Sequence, residues 1–128
     1  MTYYIGRTLD VPFADAVARA RKALAGEGFG VLVEIDVAAT LKAKLGVDHA
    51  PYLILGACNP GLAHEALKLE DKVGTMLPCN VVVRDADGGR SEIAAIDPVA
   101  SMQAIDNPAL QEKAQAVRQM LARAVAAA

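Results

Sequence analysis

Apolar positions recur along the chain in two rhythms. Phe13, Val17, Ala20 and Leu24 are spaced four, three and four apart and share one face of a helix. Asp10 precedes that helix as a candidate cap and Pro12 suits its first turn. Asp15 lies early and Arg21 and Lys22 late, as the helix dipole favours, and Gly26 and Gly28 end the element. From Phe29 the period changes to two. Phe29, Val31, Val33 and Ile35 alternate with Gly30, Leu32, Glu34 and Asp36, which predicts a strand with one strongly apolar face. Ahead of both, Tyr3, Tyr4 and Ile5 within Thr2 to Leu9 predict a first strand.

The same two rhythms carry on downstream. Asp36 caps a predicted short helix with Val37, Leu41 and Leu45 stacked four apart, and Gly46 is its left-handed stop. The run from Pro51 to Cys58 is apolar on both faces and rich in strand formers, so it reads as a buried strand. Asn59 and Pro60 then start a helix with an apolar stripe of Leu62, Ala66 and Leu69, reaching about Glu70. Asn80 to Arg84 and Arg90 to Ile96 are strands joined by a turn over Asp85 to Gly89, a direct hairpin. Asp97 and Pro98 break the chain. Asn107 and Pro108 open a last helix carrying Leu110, Ala114, Val117 and Leu121, about twenty residues or roughly 30 Å long. Its alanines Ala114, Ala122 and Ala124 suit close helix packing within the subunit or across a dimer. The expected fold is one α+β domain over residues 1–128, a mostly antiparallel sheet with helices on one face. The hairpin argues against a fully parallel, doubly wound sheet.

Composition narrows the function classes. The chain has 128 residues, 54% of them hydrophobic and 22% charged, so it can bury a core without staples and is not disordered. A net charge of -2 lacks the basic excess of a nucleic-acid binder. The longest charge-free stretches, Ala50 to Ala63 and Val73 to Val83, are shorter than the ~20 apolar residues of a membrane span. The amino terminus does not read as a signal peptide, so the expected location is cytoplasmic, where Cys58 and Cys79 stay thiols. No Gly-rich phosphate loop or nucleophile elbow is present.

Chemistry concentrates at two Cys-Asn pairs, Cys58-Asn59 and Cys79-Asn80. The first lies where a strand runs into a helix, and the unpaired N–H groups there favour an anion or thiolate. Cys79 starts another predicted strand, so both sulfurs can meet at one end of the sheet, with His64 reaching in from the helix that follows Asn59. Four readings remain open: a small-ligand pocket, a thiol-dependent redox or transfer enzyme with Cys58 as nucleophile and His64 as base, a zinc site using Cys58, Cys79 and His64, and a structural dimer in which the cysteines only pack. Residue by residue, Asn59 reads as a helix cap before a catalytic amide, Asn80 as a residue that satisfies a neighbouring turn, and His64 as an ordinary residue on a solvated helix face.

Around these residues the chain resembles the DUF302 family, a conserved domain of unknown function. The resemblance rests on Gly28-Phe29-Gly30, Glu34-Ile35-Asp36, Tyr52 through Pro60 with Ala63-His64 and Ala66-Leu67, Leu77 through Val83, and Ile96-Asp97-Pro98. It implies a curved antiparallel sheet backed by helices, similar to the TATA-binding-protein fold, and assembly as a homodimer. It implies no reaction and no cofactor. The motif positions it singles out are Cys58, Asn59, His64, Cys79 and Asn80, with no role attached to any of them. DNA binding does not follow from the fold likeness, given the charge.

Overall fold

Residues 2–128 are described by a computed structural model. In chain order the elements are β1 (Tyr4–Leu9), α1 (Phe13–Gly26), β2 (Gly30–Asp36), α2 (Val37–Leu45), β3 (Tyr52–Cys58), α3 (Pro60–Leu69), a 3-10 turn (Val73–Met76), β4 (Cys79–Asp85), β5 (Ser91–Ile96), α4 (Pro98–Ser101) and α5 (Pro108–Ala127). The strands form one curved antiparallel sheet in the order β1-β5-β4-β3-β2. Helices α1 and α5 lie together on one face. Ala16, Ala20 and Leu24 of α1 meet Leu121, Ala124 and Val125 of α5 and the inward residues of the strands, among them Leu55, Val81, Val83 and Ile93. Each fully buried large aliphatic side chain there stabilises the fold by about 1.5–3 kcal/mol. The small residues let both helices come close to the sheet.

The element ends follow local chemistry. Asp36 accepts from the Ala39 amide at 2.9 Å and Gly46 closes α2 at φ 68°, as its lack of a Cβ permits. Asn107 accepts from the Leu110 amide at 3.2 Å, and α5 runs for the expected 20 residues. Arg7 ties β1 to the far end of α5, donating to the Ala126 carbonyl at 2.7 Å and the Ala128 carbonyl at 3.1 Å, where the helix dipole favours a cation. One expected cap fails. Helix α1 begins at Phe13, so the capping position falls on Pro12, which has no side-chain acceptor; Asp10 stands too far back to serve.

A larger difference lies in β2. The alternation of Phe29, Val31, Val33 and Ile35 predicts one apolar face, but the register slips between Val31 and Val33, leaving Leu32 as the extra residue of a bulge. Phe29 and Val31 face the helices and belong to the core. Beyond the bulge Val33 and Ile35 turn to the opposite, uncovered face and are 45% and 44% exposed. Period-two patterning detects a strand but not a single inserted residue, which inverts every side chain after it.

Asp97 does more than break the chain. It caps the short α4, accepting from the Val99 amide at 2.9 Å, and takes the Arg118 guanidinium at 3.0 Å. That pair anchors the segment after β5 to α5, over the end of the sheet where the cysteines lie.

Candidate functional site

Antiparallel pairing puts Ala57 directly opposite Cys79, so Cys58 is the next residue along the strand beside it. Both cysteines are free; Cys79 is buried and Cys58 half-buried. Beyond the strand ends, α3, the 3-10 turn, α4 and the start of α5 enclose a second small core around Ala66, Val73, Met102, Leu110 and Ala114. Between this cluster and the main core the packing leaves a cavity of about 40 Å³. Cys58, Asn59 and Cys79 contribute to its wall. The rest comes from Phe29, from Leu62, Ala63 and Ala66 of α3, from Leu77 and Pro78, from Pro98 and Met102, and from Leu110, Lys113, Ala114 and Val117 of α5. Nearly all of that surface is hydrocarbon or sulfur. An apolar space of this kind does not attract water, which needs two to four polar partners.

The electrostatics of the two thiols follow from this setting. Burial pushes Cys79 up to about 11, and the neighbouring Cys58 adds to the rise. At neutral pH about one Cys79 in ten thousand is ionised, so this thiol is a poor nucleophile and packs as a small hydrophobe. At the rim, Lys113 and Glu65 pair at 2.8 Å and bridge α5 to α3. Their hydrogen bond and mutual attraction lower the Glu65 carboxyl and raise the Lys113 ammonium, so both stay charged. Both are solvated, so the pair orients the helices more than it stabilises them.

Asn59 has a structural job. Its Oδ1 accepts from the Leu62 amide at 3.2 Å and starts α3. Its Nδ2 lies 3.1 Å from where a Cβ on Gly28 would stand, and Gly28 itself has φ +84°. The Gly28-Phe29-Gly30 segment and the first Cys-Asn pair are therefore two sides of one contact: the glycine turns the chain into β2 and leaves room for the capping amide. Gly56 makes a second such contact, since a Cβ there would meet Val33 at 2.5 Å and Pro78 at 2.8 Å.

His64 and Asn80 stand apart from the cavity. His64 is exposed on α3, one residue past the wall-forming Ala63. Asn80, next to Cys79 in an extended strand, points to the other side of the sheet and lines an open groove there. Among the described residues, no three His, Cys, Asp or Glu side chains gather as a metal-binding group. The wall residues that sequence reading missed, Phe29, Met102 and Lys113, come from distant segments. The Lys113–Glu65 bridge joins two helices more than forty positions apart and leaves no local pattern.

The family model for DUF302, described as a domain of unknown function, matches residues 5–128. The chain belongs to the DUF302 family. Its fold is also that of a solved family member, the uncharacterized conserved protein DUF302 from Bacillus stearothermophilus. The two are 30% identical with a TM-score of 0.90, and the alignment covers 98% of each chain. None of the curated proteins matches. Family membership brings the segments singled out above into one frame: in this DUF302 chain, the glycines and asparagine of the motif hold the strand-to-helix junction, and both motif cysteines border the cavity.

Proposed function

We propose that this DUF302 chain is a binding protein for a small apolar molecule, seated in the cavity between the cysteine end of the sheet and helices α3 and α5. Cys58, Asn59 and Cys79 form part of the wall; His64 and Asn80 stay outside it. The observation that carries the reading is the cavity itself. Where both Cys-Asn segments meet, a partly open apolar hollow of about 40 Å³ is left that no side chain fills, against the close packing usual for protein side chains. Met102 and the alkyl stem of Lys113 are flexible walls that can give way to a ligand somewhat larger than the resting space. The protein works as a homodimer in a reducing compartment such as the cytoplasm, where both thiols stay free. No helix among the described residues is long and apolar enough to cross a membrane.

Thiol catalysis and zinc binding are less well supported. Cys79 is held protonated by its burial, and His64 is not among the residues that line the cavity. The test is methyl NMR during titration with a small apolar probe such as cyclopropane. Shifts are expected at Leu62, Met102 and Leu110, and a filling substitution, Ala63→Leu, should abolish them. Probe-induced shifts scattered over the surface, or unchanged by Ala63→Leu, would count against a cavity site.

A further inference from the structure

We infer that the bare face of the sheet is where two copies of this chain meet. An antiparallel sheet with one face in water normally carries polar residues there. In this sheet the central cross-strand row of the uncovered face is Ile35, Ile54, Val82 and Ala94, linked in register across four strands. Val33 and Tyr4, also on this side, are 45% and 42% exposed.

The chain as a whole carries more surface than a monomer of its mass: its accessible surface is 7219 Å², whereas a monomer of 13.4 kDa averages about 6,500 Å². The charges fit a second copy. In a twofold dimer the same patch faces itself, so a surface of one sign would repel its own image. Here the charged pair facing out from the sheet, Arg84 and Glu92, is already joined at 2.7 Å, and the face meets its copy without a net like-charge clash. Two such faces can stack as sheet on sheet, about 10 Å apart.

This inference rests on the homodimer reading above and adds which surface makes the dimer. Sedimentation equilibrium on the full chain should give twice the 13.4 kDa chain mass. Val82→Lys places a charge on the central strand of the face and should raise the dimer dissociation constant about 100-fold or more, and Ile35→Lys, in the same row on the edge strand β2, should weaken the dimer in the same direction. Leu67→Lys, on an exposed helix position off the face, should leave the dimer intact. A readout without mutation also exists. The chain has no Trp and three Tyr, and Tyr3, Tyr4 and Tyr52 all line the groove on this face. Iodide quenching of the intrinsic fluorescence should therefore weaken as protein concentration rises through the dimer transition.

If Val82→Lys and Ile35→Lys remain dimeric, and quenching does not change with concentration, the dimer uses another surface; this inference then fails while the homodimer reading stands. A wild-type chain that stays monomeric at every concentration overturns both. A monomer that retains a compound below 1 kDa in native mass spectrometry, with tyrosine fluorescence altered by its removal, likewise overturns the inference and assigns the groove to a ligand.

Discussion

Two of the molecule's hollows differ in almost every physical respect. The cavity beside the cysteines measures about 40 Å³ and lies under α3 and α5, with a wall drawn from segments spread between Phe29 and Val117. The groove on the bare face measures about 420 Å³, is floored by strands alone and is edged by tyrosines and by the Arg84–Glu92 pair. The first hollow exists because helices pack imperfectly over the sheet's end. The second exists because no helix among the described residues packs over that face. By volume the groove far exceeds the cavity. The apolar wall and the two thiols select the cavity, and the apolar central row of the open side suits a flat protein partner better than a small molecule.

The comparison can be sharpened by substitutions on each side. Leu110, 1% exposed, lines the cavity. Leu110→Ala should cost about 2–5 kcal/mol and enlarge the hollow, and an apolar probe such as benzene should restore part of the lost Tm. Val82→Ala on the bare face removes less buried surface and should cost under about 1 kcal/mol in monomeric protein, measured by urea denaturation. Equal costs at both positions would erase the distinction between the two hollows.

Alkaline stability gives the next largest effect. Cys79 is raised in the folded protein to about 11, above its ordinary value of 9.0. Between these values the unfolded chain has lost the thiol proton while the folded chain keeps it, so stability is full below about pH 9 and falls as pH rises towards 11. The loss amounts to about 2–3 kcal/mol. Comparing wild type with Cys79→Ala in denaturation series from pH 8 to 11 isolates this contribution, because the variant should lack that part of the slope.

Asn59→Ala should cost about 1 kcal/mol through loss of the α3 cap, while Asn59→Asp keeps most of it. Gly28→Ala, which meets both a positive φ and the Asn59 amide, should cost a similar 1–2 kcal/mol. Helix content and thermal unfolding read both. The smallest effect is expected at the surface: Arg84→Ala, which breaks the pair with Glu92, should change monomer stability by less than about 1 kcal/mol.

Much of the fold was legible because it is built from local signals. Asn59, Asp36 and Asn107 cap the helices they precede, Gly46 closes α2, and the turn between β4 and β5 uses Asp87, Gly88 and Gly89 at positive φ. The meeting of the two Cys-Asn segments could also be foreseen, since both cysteines lie at strand ends. Other features depend on tertiary packing. The bulge at Leu32 reverses the faces of β2 without changing its composition. Strand alternation along β4, which begins at Cys79 as expected, already turns Asn80 away from Cys79; what the local sequence does not show is the open groove that Asn80 lines. His64 faces solvent because Leu62, Ala63 and Ala66 use the buried side of α3, a preference that one apolar stripe signals only weakly. The second core, under Met102 and Leu110, assembles residues from four separate segments and leaves no periodic trace.

The claim on which the functional reading stands is that the cysteine-end cavity accepts a small apolar guest. Crystals of the protein held under xenon pressure test it most directly. The account predicts a xenon atom between Phe29, Leu62, Met102 and Leu110, and none there in Ala63→Leu crystals. A wild-type crystal with xenon only elsewhere, or with the cavity filled by ordered water, would contradict it.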